Sequence, residues 1–388
     1  MIDRLLRPRL AASRRSALIL GPRQTGKSTL CRSLEPDVSL DLSDEELFLR
    51  HAKDPGLLKR TLAASPKARL VLIDEIQRLP SMLNTIQSVV DRKGAPRFLL
   101  TGSSARKLRR AGANLLPGRI VVEHLDPLSA LELGARFDLT RALQVGTLPG
   151  IYLDRAGGRD ALESYAETYL REEIRAEAHT RNLGAFARFL DAAAAASGLW
   201  INYSKLSSDA EIPKETVRRF YELLEDTLLV FRLPPFHPRL RVTRRLSQRD
   251  RFIFFDLGVR NALLGVHRLP PAPDRLGSAF EQWLIAQVAG LNRALRKGWA
   301  LSTFRTEDGA EVDLVVETSR AVIGIEIKAG RNVRAAELRG FDSLAAVIGR
   351  YKPFHRLLAY TGEEAQRLPT GVRVLPYLDL LRELSRLR

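Results

Sequence analysis

A single cysteine, Cys31, stands among 388 residues, so no intramolecular disulfide forms and no cysteine cluster exists to bind structural zinc. The 6 histidines are scattered without ligand spacing. Aromatic residues are sparse at 7%, and acids are short of bases, 45 against 62, which leaves a formal net charge of +17. No run of ~18 apolar residues occurs, so no membrane-spanning helix is expected. The basic stretch Met1 to Arg15 runs straight into a strand-like segment, so no removable leader is expected there. A reducing cytoplasm is the expected location. What remains is a globular composition, 45% hydrophobic and 28% charged, long enough for two or three domains. The excess of base favours polyanionic partners through counterion release from phosphates, although an arginine-rich proteome would produce the same excess.

The most informative stretch present is Gly21-Pro22-Arg23-Gln24-Thr25-Gly26-Lys27-Ser28. It follows the apolar run Ala17 to Leu20 and leads, through Thr29, into a helical pattern, the strand–loop–helix setting a phosphate loop needs. Glycines let the backbone curl until several N–H groups point at one anion. Lys27 would reach the β- and γ-phosphates of ATP, and the Ser28 hydroxyl would ligate Mg²⁺. A second element complements it. Leu70 to Asp74 is a continuous apolar strand that ends in Asp74-Glu75. Asp74 would hold the same Mg²⁺, and Glu75 would orient the attacking water.

Further strands are expected at 16–20, 38–42, 97–101 and 119–124, with helices between them, for example 80–91. That alternation predicts a parallel sheet with right-handed crossovers. Polar groups at the strand ends would then face a nucleotide, among them Thr101 and Ser103, one of which would sense the γ-phosphate or position water. Ordinary helix capping by a Ser pair explains the same residues. Arg119, just before the fifth strand, can reach a neighbouring subunit's nucleotide as an arginine finger, with Arg106, Arg109 and Arg110 as rivals; a salt-bridged surface arginine is the plainer reading.

Residues 141–190 read as helical, with Tyr165, Tyr169 and Ile174 on an apolar stripe and Glu172 and Glu173 outward. Residues 186–232 then read as a helix-turn-helix module. Ser204 is a candidate cap for its first helix, Pro213 opens the second, and Leu228 to Leu233 forms a wing-like strand. Lys214, Arg218 and Arg219 would meet phosphates; a module that packs on its neighbour and touches no nucleic acid would carry the same pattern. Residues 233–251 are Pro-rich and then Arg-rich, including Arg241, Arg244, Arg245, Arg249 and Arg251. They read as a linker and basic surface suited to nucleic acid.

The last third carries a second constellation. A helix opens near Gly277 with Glu281 on it, and strand-like stretches follow at 300–305, 311–317 and 321–329. Alternation places Glu326 and Lys328 on one face of the last strand, and a turn at 318–320 sets Asp313 nearly opposite Glu326. Two carboxylates that close repel unless a cation balances them. Asp313, Glu326 and Glu281 as ligands, with Lys328 beside the attacking water, would make a divalent-metal site suited to phosphodiester hydrolysis. A solvated strand face with alternating charge would look the same.

Together these motifs resemble a known family. The front resembles the AAA+-like ATPases of the AAA_14 group, through Gly21 to Ser28, Ile73 to Pro80, Leu100 to Ser104 and Gly118-Arg119. The rear resembles DUF4143, read as a PD-(D/E)xK nuclease-like fold, through Phe255 to Asn261, Phe280-Glu281, Glu311-Val312-Asp313 and Glu326-Ile327-Lys328. Val312 stands where that signature carries proline. The resemblance implies an α/β chain: an AAA+-type P-loop sheet over 1–140, a helical lid and winged-helix-like module over 141–245, and a nuclease-like α/β domain over 246–388. It implies ATP binding, homo-oligomers and a helix-turn-helix between the two ends. The expected activity is an Mg²⁺-dependent ATPase acting on DNA. The alternative is a regulatory switch, or an ATP-responsive DNA-binding protein, whose rear carboxylates are inert.

Overall fold

Strands whose residues are apolar without alternation need cover on both faces, and the front of the chain supplies it. Parallel strands β1 (Ser16–Leu20), β2 (Val38–Asp41), β3 (Leu70–Asp74), β4 (Arg97–Gly102) and β5 (Ile120–His124) form one sheet in the order β2-β3-β4-β1-β5. Successive side chains point to opposite faces. Leu18, Leu20, Ile73, Phe98 and Leu100 therefore enter one core cluster with Ile86 of the Met82–Val90 helix. Ala17, Ile19, Leu72 and Leu99 enter another, with Leu10 of the Arg7–Ala12 helix and Leu30 of the Lys27–Arg32 helix. Truncating any of these leucines to alanine costs about 2–5 kcal/mol, because a close-packed core relaxes only partly around the hole. The consequence for function is directional: all five strands end at one edge of the sheet.

The computed structural model describes residues 2–103, 118–170, 183–237, 246, 248–331, 338–349 and 351–387. It divides into two units, Met1–Leu128 with Asp226–Leu229, and Ser129–Glu225 with Val230–Arg388. Arg106, Arg109, Arg110, Glu172, Glu173, Ile174, Arg241, Arg244 and Arg245 lie outside the described residues.

The second unit opens with helices. Leu183–Ala195, Tyr203–Asp209 and Lys214–Asp226 are followed by an antiparallel pair, β6 (Val230–Leu233) and β7 (Arg251–Phe254), and Trp200 bridges to Arg251 in the same antiparallel sense. Lys214–Asp226 buries Val217, Phe220, Tyr221, Leu223 and Leu224. Phe220 meets Phe186 edge-on at 4.9 Å, and Tyr221 stacks on Phe252 at 4.3 Å. The cap of Tyr203–Asp209 is not Ser204, as expected, but Asn202. Its side chain accepts from Lys205 N at 3.1 Å because Asn202, two residues before Ser204, sits at the N-cap in extended backbone.

A mixed sheet completes this unit, in the order β12-β13-β11-β10-β9-β8. β8 (Ala300–Arg305), β9 (Glu311–Glu317) and β10 (Val322–Lys328) run as an antiparallel meander. β11 (Phe354–Tyr360) and β13 (Arg373–Pro376) add in parallel, and β12 (Gln366–Arg367) closes the edge. The long helix that carries Glu281 spans Pro273–Ala294, starting earlier than the sequence suggested because Pro273 takes the first helical position, where a missing N–H is harmless.

Candidate functional site

At the C-terminal edge of the parallel sheet, β4 lies between β1 and β3, so the loop that leaves β1 and the carboxylates that leave β3 are two strands apart. The loop is shaped by two glycines. Gly26 holds φ at 88°, and a side chain on Gly21 would strike the Leu125 carbonyl oxygen at 2.3 Å. Arg4 fixes the curl from outside by donating to the carbonyls of Thr25 (2.7 Å) and Asp126 (2.5 Å). Lys27 is buried. Its ammonium donates to the carbonyl oxygens of Gly21 at 2.8 Å and Pro22 at 2.9 Å, so it lies inside the bend rather than in solvent. Thr25 also donates its hydroxyl to Pro22 O, at 2.9 Å. Arg23, Gln24 and Thr29 are exposed, and Ser28 is half-buried at the start of the helix.

Asp74 is 2% exposed. Thr101 donates its hydroxyl to one Asp74 oxygen and accepts the Glu75 N–H at 3.0 Å. Thr101 is fully buried, and its hydroxyl ties Asp74 to the Glu75 N–H. The other Asp74 oxygen lies 3.5 Å from Arg32, which also donates to Asp41 at 2.9 Å. Glu75 sits in left-handed backbone, φ 57° and ψ 44°, a conformation a β-carbon disfavours and surrounding structure must enforce. Gln77 supplies part of that enforcement: its amide donates to the Glu75 carboxylate and, at 3.2 Å, to Ser103 Oγ. Cys31 is packing, as its place in the core implied; burial first, then Asp74, push its thiol up to about 12.

In the second unit, the β9–β10 register runs from Val322 opposite Glu317 to Ile325 opposite Leu314 and ends there, one residue short of Glu326 and Asp313. Both carboxylates are 8% exposed. Asp313 accepts the Ile327 N–H at 2.7 Å, and Lys328 donates to Glu326 at 2.7 Å. Burial, then Glu281 and Glu326, raise Asp313 well above the usual carboxylate range; burial also raises Glu326, to about 7, against the pull of Lys328. Arg251 changes the reading of this site. Expected on a basic surface, it is 3% exposed and donates to the Glu281 carboxylate, to Gly198 O at 2.7 Å and to Asp313 O at 3.4 Å. The cause is its position at the head of β7, which directs it inward. Burial opposes its charge, but Glu281 and then Asp313 outweigh that and hold the guanidinium protonated. Among the described residues no group of three His, Cys, Asp or Glu side chains is placed to hold a metal ion. Of the expected set, Glu281 pairs with Arg251 and Glu326 with Lys328, while the Asp313 carboxylate has the Ile327 N–H.

Residues 13–134 match AAA_14, described as an AAA domain, residues 276–380 match DUF4143 and residues 136–269 match DUF8612, both described as domains of unknown function. The uncharacterized proteins Rv2008c of Mycobacterium tuberculosis and Mb2031c of Mycobacterium bovis are each 30% identical over 320 residues, 80% of this chain and 69% of theirs. The chain belongs to this AAA_14 and DUF4143 family. Among solved structures, the replication initiator DnaA bound to AMPPCP and single-stranded DNA is 15% identical, with a TM-score of 0.29 over 57% of this chain and 86% of that one. AMPPCP-bound DnaA from Aquifex aeolicus is also 15% identical, with a TM-score of 0.26 over 56% and 84%. Neither likeness is close enough to carry an argument.

Within the AAA_14 segment, Arg119 is not near the loop. It pairs with Asp91 at 2.5 and 3.1 Å and lines an open hollow of about 720 Å³. Ser16, Leu70 and Arg97, the first residues of β1, β3 and β4, line the same hollow. Arg119 thus sits at the sheet edge opposite Lys27. The motif Phe255 to Asn261, which carried part of the DUF4143 resemblance, falls inside the 136–269 match instead. Its role is structural. Asp256 caps the Leu257–Leu263 helix through Val259 N (3.1 Å) and takes Thr147 N at 2.7 Å, while Asn261 donates to Leu143 O and Gln144 O at 2.8 and 3.0 Å. Three working residues escaped the sequence reading. Arg4 and Arg32 carried no local signal, whereas Gln77, two residues past the strand-end acids, did.

Proposed function

We propose that this AAA-domain chain is an Mg²⁺-dependent ATPase that acts on nucleic acid. The carrying observation is the convergence at one sheet edge of Lys27, held by loop carbonyls at 2.8 and 2.9 Å, with Asp74 and Glu75, which Thr101 locks and Gln77 reaches from one side. Phosphate oxygens would take over Lys27 from those carbonyls, and the loop amides from Gly21 to Thr29 would cradle the triphosphate. Ser28 and Asp74 form an all-oxygen donor set of the kind Mg²⁺ takes, and would hold it there. The ion would neutralise developing phosphate charge. Glu75 would orient the water, with Gln77 and Ser103 fixing its carboxylate. Arg119, at the far edge, would reach only a neighbouring copy's nucleotide, so the finger reading goes with a homo-oligomer.

Nucleic-acid action is supported by the net charge of +17 and by the exposed Lys214, Arg218 and Arg219 on one helix of a three-helix module with a β-pair. The Arg251–Glu281 pair favours a rear domain that grips rather than cuts. Glu281 and Glu326 already have cationic partners in Arg251 and Lys328, and no group of three metal-ligating side chains is placed together among the described residues. The test is ATP turnover measured with and without DNA. Glu75→Gln is expected to lower turnover about 10²–10⁴-fold while leaving nucleotide binding intact, and DNA should stimulate the wild type. Absence of stimulation removes the nucleic-acid part, and metal-dependent cutting abolished by Asp313→Ala overturns the gripping reading.

A further inference from the structure

The three-helix module holds a feature that phosphate contacts alone do not explain. A hollow of about 510 Å³ opens between Asn202–Tyr203, one side of Lys214–Asp226 from Lys214 to Glu225, and Gln248–Asp250. Its size falls in the range, roughly 300–1,000 Å³, of sites for small ligands. Arg218 lies over the Tyr203 ring at 4.7 Å, giving a flat cation–aromatic platform. Lys214 and Arg249 line the rim. Asp250 lines the hollow too, 9% exposed; one oxygen takes Arg232 at 2.7 Å and the other has no hydrogen-bond partner among the described residues. A buried carboxylate oxygen without a donor is costly, and a ligand N–H would relieve it. Glu222 and Glu225 on the same wall would repel a bare polyphosphate and tolerate one phosphate flanked by a neutral ring.

We propose that this hollow takes a single unstacked nucleotide of a nucleic-acid strand, its base on the Tyr203–Arg218 platform and its phosphate at Lys214 and Arg249. An N–H of the base supplies the donor that Asp250 lacks. A paired base inside a duplex offers neither face to a pocket, so the site selects single-stranded over double-stranded substrate. The inference rests on the nucleic-acid reading above and deepens it.

The test uses the full chain carrying Lys27→Ala, so that the front loop does not contribute. Its probes are a labelled oligonucleotide with one internal 2-aminopurine, the same sequence as a duplex, and 2-aminopurine riboside monophosphate alone. On the strand, wild-type pocket residues and Tyr203→Phe are expected to quench the 2-aminopurine. Tyr203→Leu is expected to lose the quench and about tenfold in strand affinity with duplex affinity unchanged, and Arg218→Ala to lose the quench and to weaken the strand more than the duplex. If those two variants bind and quench like the parent, or weaken strand and duplex equally, the pocket assignment is overturned. Preferential quenching of the monophosphate overturns the strand assignment. If the parent binds neither strand nor duplex, the nucleic-acid reading itself has failed, an outcome distinct from the other two.

Discussion

At the scale of single residues, the front site depends on groups that hold other groups. Glu75 occupies a strained left-handed conformation, and Gln77 reaches from its carboxylate to Ser103. Gln77→Ala is expected to lower ATP turnover about tenfold with KM for ATP nearly unchanged, because orientation acts on the transition state and not on ground-state binding. Steady-state kinetics checks this, and an equal change in KM would point to a direct nucleotide contact instead. The placement of Lys27, Asp74 and Glu75 at one sheet edge was readable because a glycine loop after one strand and paired acids after another keep fixed spacing. The sequence was silent on Arg4 and Arg32, whose partners come from chain segments brought close only by the fold. It misplaced Arg251, since an arginine among arginines looks like surface until β7 is seen to turn it inward.

Buried acids in the second unit set a pH dependence whose sign is fixed. Burial lifts Asp256 from 3.8 to about 6 and Glu326 from 4.5 to about 7 in the folded chain. Below about 4 these groups are protonated folded and unfolded alike. Between the unfolded and folded values the folded state holds more protons, so stability falls as pH rises towards 7. Denaturant titrations from pH 4 to 8 should show that decline, and Glu326→Gln should flatten its upper part. A stability that rises over the whole interval would contradict these environments.

At the scale of elements, strand positions in the parallel sheet were legible to within a residue or so, because fully covered strands read as uninterrupted apolar runs. The β9–β10 hairpin was legible from alternation around a three-residue turn. Caps were less so: Asn202 rather than Ser204 holds the Tyr203–Asp209 helix, a two-residue difference that propensity does not resolve. The Phe255 to Asn261 segment was conspicuous in sequence, yet its work is to bind the Leu257–Leu263 helix to the turn after Leu139–Val145. Asp256→Ala is expected to cost about 1–3 kcal/mol, from a lost cap and a buried Thr147 N–H left unpaired. Equilibrium unfolding measures this, and a change under about 0.5 kcal/mol would mean the clasp is dispensable.

At the scale of the whole molecule, the excess of 62 basic over 45 acidic residues would set how the proposed nucleic-acid partner is held. Affinity for DNA should fall steeply between about 50 and 200 mM salt, as counterions released on binding are driven back. A flat salt profile would place binding outside the basic surface. The AAA_14 match at one end, the DUF4143 match at the other and the DUF8612 match between them give the architecture. Coupling among these parts is what a DNA-stimulated ATPase requires, and it begins with the triphosphate.

Calorimetric titration of the intact chain with ATP and Mg²⁺, beside Lys27→Ala, tests that beginning most directly. The account predicts saturable heat with one nucleotide per chain for the wild type and its loss in the variant. Silence from the wild type, or an unchanged isotherm without the Lys27 ammonium, would contradict it.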